Sequence, residues 1–221
     1  MKIYLLGAAN PETIRMIRAL QRLSPNVEFP GLLDNDISKH GTDFRGIPIL
    51  GGLDLVPSLA GAGVGFVTLV TGSTRARYET GKAIVAAGGT LTNFIHPSVD
   101  LTMTEWGVGN YVQESVITQA DVRVGDNSSI HMGALIGHES QIGHSVFIAH
   151  AVSISGSCKI GDGAFIGTNA TVLPRITIGR WVTIGAGSVV TTDIPDFAVA
   201  VGNPAKVIKL NEKIYSDGSV L

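Results

Sequence analysis

The chain has one cysteine among 221 residues, so no disulfide can form within it. Charged residues make up only 15% and aromatics 6% of the total. The formal net charge is −2, and with no long run of lysine or arginine there is no basic surface to expect against nucleic acid. No apolar run approaches the roughly twenty residues that span a bilayer. The opening Met1-Lys2-Ile3-Tyr4-Leu5-Leu6-Gly7 is too short an apolar stretch for a signal peptide and runs into a glycine turn. A soluble, cytoplasmic chain without nucleic-acid or membrane partners is therefore the expectation, long enough for one or two domains with real cores.

What is plentiful is glycine, with 28 residues, and small aliphatic side chains. They recur in order. From Val112 to Pro195 an aliphatic or β-branched residue falls at every sixth position, through Val124, Ile130, Ile136, Ile142 and onward to Val190 without an insertion. The fifth position of each unit is small or β-branched, as at Val122, Ala134, Ser140 and Cys158, and the second is often glycine, as at Gly137, Gly143 and Gly161. A period of six drifts around a 3.6-residue helical turn and holds no helical face. An extended chain that bends once per unit can use it, and internal hexapeptides are the signature of a parallel β-helix. The aliphatic points inward, the fifth residue fills the space beside it, and glycine is expected to supply backbone freedom at the bends. Three units make one coil of eighteen residues, and coils stack about 4.8 Å apart. Residues eighteen apart then lie nearly above one another. Cys158, at an inward fifth position, reads as a buried thiol and not a nucleophile.

Residues 1 to about 95 alternate strand and helix patterns. Ile3 to Leu6 forms a strand and turns through Gly7 to Pro11 into a helix from about Glu12 to Leu23, with Ile14, Ile17, Ala19 and Leu20 on its apolar face. A strand over Gly31 to Leu33 ends in Asp34-Asn35-Asp36, a loop holds Ile47-Pro48-Ile49, and Leu53 to Leu59 reads as a short helix. Gly65 to Val70 is the clearest strand, Ser73 caps a helix running to Ala87, and Leu91 to Ile95 reads as another strand. Alternation of this kind implies a parallel sheet with ligands favoured at the carboxyl ends of its strands. The loops Gly7 to Pro11, Asp34 to Asp36 and Thr71 to Arg75 sit at that edge, as a binding site or as ordinary turns. His96-Pro97 marks a joint.

His138, His144 and His150 share the third position of their units. On a three-faced coil they lie on three different faces and point apart, so one chain cannot gather them around a metal ion.

The units Ile136-Gly137-His138-Glu139-Ser140-Gln141 and Ile142-Gly143-His144-Ser145-Val146-Phe147, the segment Gly156-Ser157-Cys158-Lys159-Ile160-Gly161 and the ending Val201-Gly202-Asn203-Pro204-Ala205-Lys206 resemble the left-handed β-helix, or hexapeptide-repeat, acyltransferases. With the α/β stretch ahead of them and the joint Asn93-Phe94-Ile95-His96-Pro97, they resemble more narrowly the nucleotide-sugar N-acetyltransferases and the similar sialic acid O-acetyltransferases. The resemblance implies a Rossmann-like α/β domain with a parallel sheet over residues 1–97, a left-handed parallel β-helix over 98–195, and a cap and tail over 196–221. It implies a homotrimer with sites between adjacent coils, acetyl-CoA as co-substrate, and no tightly bound cofactor or metal.

By the same resemblance His138 is the general base, Glu139 orients it, and the Gly156 N–H, one coil above, meets the developing oxyanion. The stack of His150, Thr168 and Ala186 is assigned to the coenzyme together with Gly156. The sugar nucleotide is assigned to Ala9, Asn10 and Pro11 at a helix N-terminus, to Asp34 and Asn35, and to Gly72, and His131 is either an acceptor contact or a surface histidine. His144 reads as a solvated corner residue. The implied activity is acetyl transfer to the amine of a nucleotide-linked amino-dideoxy sugar. Sialic acid or sugar O-acetylation and a non-catalytic nucleotide- or sugar-binding β-helix are the alternatives, and a zinc-dependent γ-type carbonic anhydrase is disfavoured because its His-x4-His pair is missing.

Overall fold

The computed structural model describes residues 1–211; the expected tail beyond them lies outside the described residues. Five strands, β1 (Lys2–Leu6), β2 (Leu32–Leu33), β3 (Asp43–Phe44), β4 (Ile47–Gly51) and β5 (Val64–Thr68), form a sheet in the order β3-β4-β2-β1-β5. Only the β3–β4 pair is antiparallel. Helices α1 (Glu12–Leu23), α2 (Val56–Leu59) and α3 (Thr74–Ala86) connect them.

α1 starts where the Asn10 side-chain oxygen accepts the Glu12 N–H at 3.0 Å, and it buries Thr13, Ile14, Met16 and Ile17. The apolar face is thus shifted toward the first turns from the one expected, with Ala19 and Leu20 only half-buried. Ser73 caps α3 by accepting the Ala76 N–H. Two strand expectations change. Ile47-Pro48-Ile49, expected in a loop, belongs to β4, where Ile49 and Gly51 alternate inward and proline interrupts the pattern a strand would otherwise show. The stretch Leu91 to Ile95 is not one strand: Leu91 makes an isolated bridge to Phe66, and Phe94–Ile95 pairs with Tyr111–Val112 on the coil.

From there the chain winds as a left-handed β-helix of two-residue strands. The first face stacks Glu105–Trp106, Arg123–Val124, Gln141–Ile142, Lys159–Ile160 and Thr177–Ile178. The second runs from Phe94–Ile95 through Ser129–Ile130 and Phe147–Ile148 to Ala198–Val201, closed by the antiparallel strand Lys206–Leu210. The third stacks Ile117–Thr118, Leu135–Ile136, Ser153–Ile154, Thr171–Val172 and Val189–Val190. Between the first and last rungs, pairing joins residues eighteen apart, as Ile136 with Ile154 and Ile154 with Val172. The expected inward positions fill the core: Ile130, Ile148, Ile166, Val122, Ala134 and Cys158 are all fully buried.

Glycine has a different task here from the one expected. The left-handed backbone occurs at the fourth position of each unit and is carried mostly by other residues, among them Asn127, Glu139, Ser157 and Asn169 with φ of 55° to 58°. The second-position glycines are small because coils approach closely there: a Cβ on Gly161 would sit 2.7 Å from the Arg180 nitrogen.

One side chain ties the sheet to the coils. Arg77 of α3 is fully buried, and its guanidinium donates to the carbonyls of Thr68 at 2.9 Å, Val70 at 3.1 Å, Gly109 at 3.4 Å, Ser128 at 3.0 Å and Asn127. Arg77→Met would remove a donor from each of those carbonyls, leaving Ser128 with the Tyr111 N–H alone, so unfolding free energy should fall by more than about 4 kcal/mol. Denaturant midpoints would check it, with Arg77→Lys, which has fewer donors, recovering only a fraction. A midpoint unchanged in the Met variant would contradict this account.

Candidate active site

His138 stands at the corner that follows the third face, in the left-handed stretch ending at Glu139. Its backbone N–H is taken by the Gln119 side-chain oxygen at 2.9 Å. The ring's Nδ1 lies 3.2 Å from Glu139 Oε2, and that oxygen also accepts from Ser157 Oγ at 3.0 Å. Hydrogen bonding from Ser157, then from His138, holds the Glu139 carboxyl below its usual pKa. The other end of the ring faces the coil above: a Cβ added to Gly156 would lie 2.5 Å from His138 Nε2. Among the described residues, the Gly156 N–H meets no acceptor, whereas the equivalent N–H groups of His138 and His144 are held by Gln119 and Asp162 side chains. A groove of about 450 Å³ lined by Gln119, Leu135, His138, Ser155 and Gly156 opens on this corner. The arrangement presents a ring nitrogen, backed by a carboxylate, beside a backbone donor.

His150, Thr168 and Ala186 stack as expected, since Asn169 N donates to the His150 carbonyl and Gly187 N to that of Thr168. All three side chains are exposed. Their column follows the second face, so within one chain it does not share the His138 groove. His144 is more than a solvated corner: its Nδ1 accepts the Asp126 N–H at 3.0 Å and lies 3.3 Å from Asp126 Oδ2, latching two coils.

His131 is not the surface histidine of one of its two readings. It is 3% exposed on the second face, neither at the surface nor in the His138 groove, with its ring 4.6 Å from Phe147 and 4.9 Å from His150. The cause is its place at the second position, which is often glycine and here packs a ring against the neighbouring aromatics. Nε2 meets Ser129 Oγ at 2.9 Å, and Nδ1 is buried without a partner.

At the sheet edge Asp34 and Asn35 line a cavity of about 170 Å³ with Gly7, Val70 and Thr80. Asp34 is engaged within the protein: it accepts from Ala8 N at 3.0 Å, Asp36 N at 2.9 Å and Lys39 Nζ at 2.8 Å. Burial pushes its pKa up, and these donors outweigh that and leave it lowered. Asn35 Oδ1 accepts the Leu53 N–H. Ala9, Asn10 and Pro11 are exposed beside this cavity, while Gly72 lines a separate groove with Arg75, Phe165 and Trp181. The loops therefore share an edge, but Gly72 does not join Asp34. The residues missed by sequence reasoning are Gln119 and Ser157. Ser157 was within reach, because it lies eighteen residues after Glu139.

The family described as bacterial transferase hexapeptide (six repeats) matches residues 139–174 and 157–192. No curated protein sequence matches the chain significantly. Among solved structures, a mutant of perosamine N-acetyltransferase from Caulobacter crescentus, in complex with CoA and GDP-perosamine, is 29% identical with a TM-score of 0.83, over 95% of this chain and 97% of that one. The acetyltransferase domain of PglB from Neisseria gonorrhoeae, in complex with acetyl coenzyme A, is 28% identical with a TM-score of 0.82, over 94% and 98%. WeeI from Acinetobacter baumannii shares the fold at 21% identity and a TM-score of 0.81, over 94% of this chain and 100% of that one.

Burial, with smaller effects from His150 and Arg77, lowers the His131 pKa from 6.5 to about 3. The unfolded chain therefore binds a proton there that the folded chain does not, so stability is complete above about pH 6.5 and is lost as pH falls toward 3. This one group should contribute a slope of up to about 1.4 kcal/mol per pH unit in that window. His131→Phe should flatten the fall in unfolding free energy between pH 6.5 and 4.5, and an unchanged slope would refute the account.

Proposed function

We propose that this chain, a hexapeptide-repeat sugar acyltransferase, moves the acetyl group of acetyl-CoA directly onto the amine of a nucleotide-linked amino-dideoxy sugar, with His138 as general base. The observation that carries the reading is the His138 ring, backed at Nδ1 by Glu139 and set at Nε2 against Gly156. The Caulobacter neighbour, a perosamine N-acetyltransferase captured with CoA and GDP-perosamine, and the Neisseria domain with acetyl coenzyme A support the choice of co-substrates.

The acceptor amine attacks the thioester carbonyl carbon. As the C–N bond forms, His138 Nε2 takes the amine's proton, and the imidazolium is steadied by the Glu139 carboxylate at Nδ1. The carbonyl oxygen gathers negative charge and accepts the Gly156 N–H. Collapse breaks the C–S bond, and the proton passes from His138 to the departing CoA thiolate. The products are an N-acetyl sugar and free CoA, and no acyl-enzyme is formed. Cys158 takes no part: it is buried, its pKa is raised by burial, and its sulfur lies 3.2 Å from the Leu173 carbonyl oxygen.

Residues 1–97 hold the nucleotide in this reading, with Asp34 fixing the loop frame and Asn35 and the Ala9–Pro11 turn facing the ligand. The coils of 98–195 hold the thioester. The protein works as a homotrimer, because the coenzyme column His150, Thr168 and Ala186 and the His138 groove lie on different corners of one chain and meet across a chain boundary. Ile117, Leu135 and Leu173, exposed on or beside the third face near His138, provide apolar surface for that contact. No helix among the described residues is long and apolar enough to cross a membrane; a cytoplasmic reaction is part of this proposal and rests on its two co-substrates.

The test is thiol release from acetyl-CoA with UDP- and GDP-linked 4-amino-4,6-dideoxy sugars, run beside sialic acid as an O-acceptor. His138→Ala should lower kcat by about 10²- to 10⁴-fold while light scattering still reports three times the 23.1 kDa chain mass. Turnover within a few-fold of the parent would remove His138 from the mechanism. Gly156→Ala should suppress turnover as well, since the new Cβ collides with the base itself, and a monomeric mass would end the trimer assignment.

A further inference from the structure

The Glu139 side chain is 62% exposed and the His138 side chain 60%. A glutamate that free has a large rotamer entropy to lose before it backs a base, and its partnership with His138 alone, at 3.2 Å, is a long contact. Ser157 supplies what is missing. Its backbone N–H donates to the His138 carbonyl at 2.7 Å and its hydroxyl donates to Glu139 Oε2 at 3.0 Å, so one residue of the coil above holds both ends of the pair. The register makes this a property of the stack: Ile136 pairs with Ile154, which places Ser157 directly over Glu139, and both adopt the left-handed backbone with φ of 58°. The charged groups facing the Glu139 carboxylate are His138 and, two coils up the same column, Arg175.

We infer that Ser157 is a positioning residue for the acetyl transfer, holding the Glu139 carboxylate on His138 Nδ1 so that Nε2 is kept as the basic nitrogen facing Gly156. The inference rests on His138 being the base. In the hydrogen-bond chain Ser157 Oγ–H points to Oε2, Oε2 accepts Nδ1–H, and the lone pair is left on Nε2. Without the hydroxyl the carboxylate swings into water, the tautomer is no longer fixed, and the imidazolium formed during attack loses a held partner.

The experiment uses the full-length protein with the accepting sugar nucleotide found above. Ser157→Gly removes the hydroxyl without strain at a positive φ, and Ser157→Ala removes it with a Cβ retained. Both should lower kcat by roughly 10-fold, the low end of what losing the partner that orients a metal-bound histidine costs. KM for acetyl-CoA and for the sugar should be unchanged. The acid limb of the kcat/KM profile should move to lower pH, because an imidazolium without its carboxylate gives up its proton more readily. Ser157→Asn, which tolerates the left-handed backbone and restores an N–H donor, should recover most of kcat. A hydroxyl that served only coil stability would lower the melting temperature and leave the pH profile in place. That outcome, or a kcat within two-fold of the parent in the Gly variant, overturns the inference while leaving His138 as base. An active His138→Ala variant would instead overturn the reading on which it rests.

Discussion

The fold depends on a positive charge buried without a carboxylate. The Arg77 guanidinium is fully enclosed, and its hydrogen-bond partners among the described residues are backbone carbonyls from three places: the end of β5, the loop at Gly109, and the coil at Asn127 and Ser128. An isolated buried cation is very costly, and enough oriented dipoles can offset the loss of water. The desolvation lowers the Arg77 pKa to about 9, which still leaves it charged at neutral pH. Asn127 completes the joint, with its Nδ2 donating to the Arg77 carbonyl and its Oδ1 accepting from Thr68 Oγ1 at 2.7 Å. Gly81 belongs to the same constraint, because a Cβ there would lie 2.5 Å from Asn127 Nδ2. Farther up the coils, Tyr78 meets Trp181 edge-on at 5.8 Å, and Trp181 lies across Gly163. One face of α3 thus carries arginine, tyrosine and glycine, each matched to a coil partner.

This joint fixes the carboxyl edge of the sheet relative to the coils, and the coil register fixes everything within the repeat. The two constraints divide the labour. His138 sits over its neighbours because Ile136 pairs with Ile154, whatever the α/β layer does. Across β1 from the Asp34 loop, Thr68 at the end of β5 and Val70 just beyond it are clamped by Arg77. An acceptor that bridges the two depends on both. The engagement of Asp34 with Ala8 and Lys39 has the same logic, since a carboxylate that braces two loops sets the shape of the ligand edge from behind.

The repeat was the most legible part of the chain, because its inward positions are set by steric fit with a fixed period. Stacking by eighteen placed Gly156 over His138 from arithmetic alone, and the same arithmetic reaches Ser157 from Glu139. Other features were not written in the pattern. A left-handed corner carried by glutamate or serine has no compositional mark, so bend freedom was assigned to the second-position glycines when close coil approach explains them. His131 occupies a position where its neighbours in the repeat are glycine or alanine, and nothing in a single unit says that a ring will be enclosed by Phe147 and Tyr111. Arg77 lies on a helix rich in polar residues, where an arginine ordinarily reads as solvated. Its burial follows from a partner about fifty residues away, which no local period encodes.

The separation of the two corners has a consequence for how activity is organised. The His138 groove belongs to the corner after the third face, and the His150, Thr168 and Ala186 column to the corner after the second. A three-sided coil cannot fold one corner onto another, since the filled core of isoleucine and valine lies between them. An acyl transfer that drew on both corners, as proposed above, would have to be built between two chains. The exposed Ile117, Leu135 and Leu173 on or beside the third face are apolar surface of the kind such a boundary would cover.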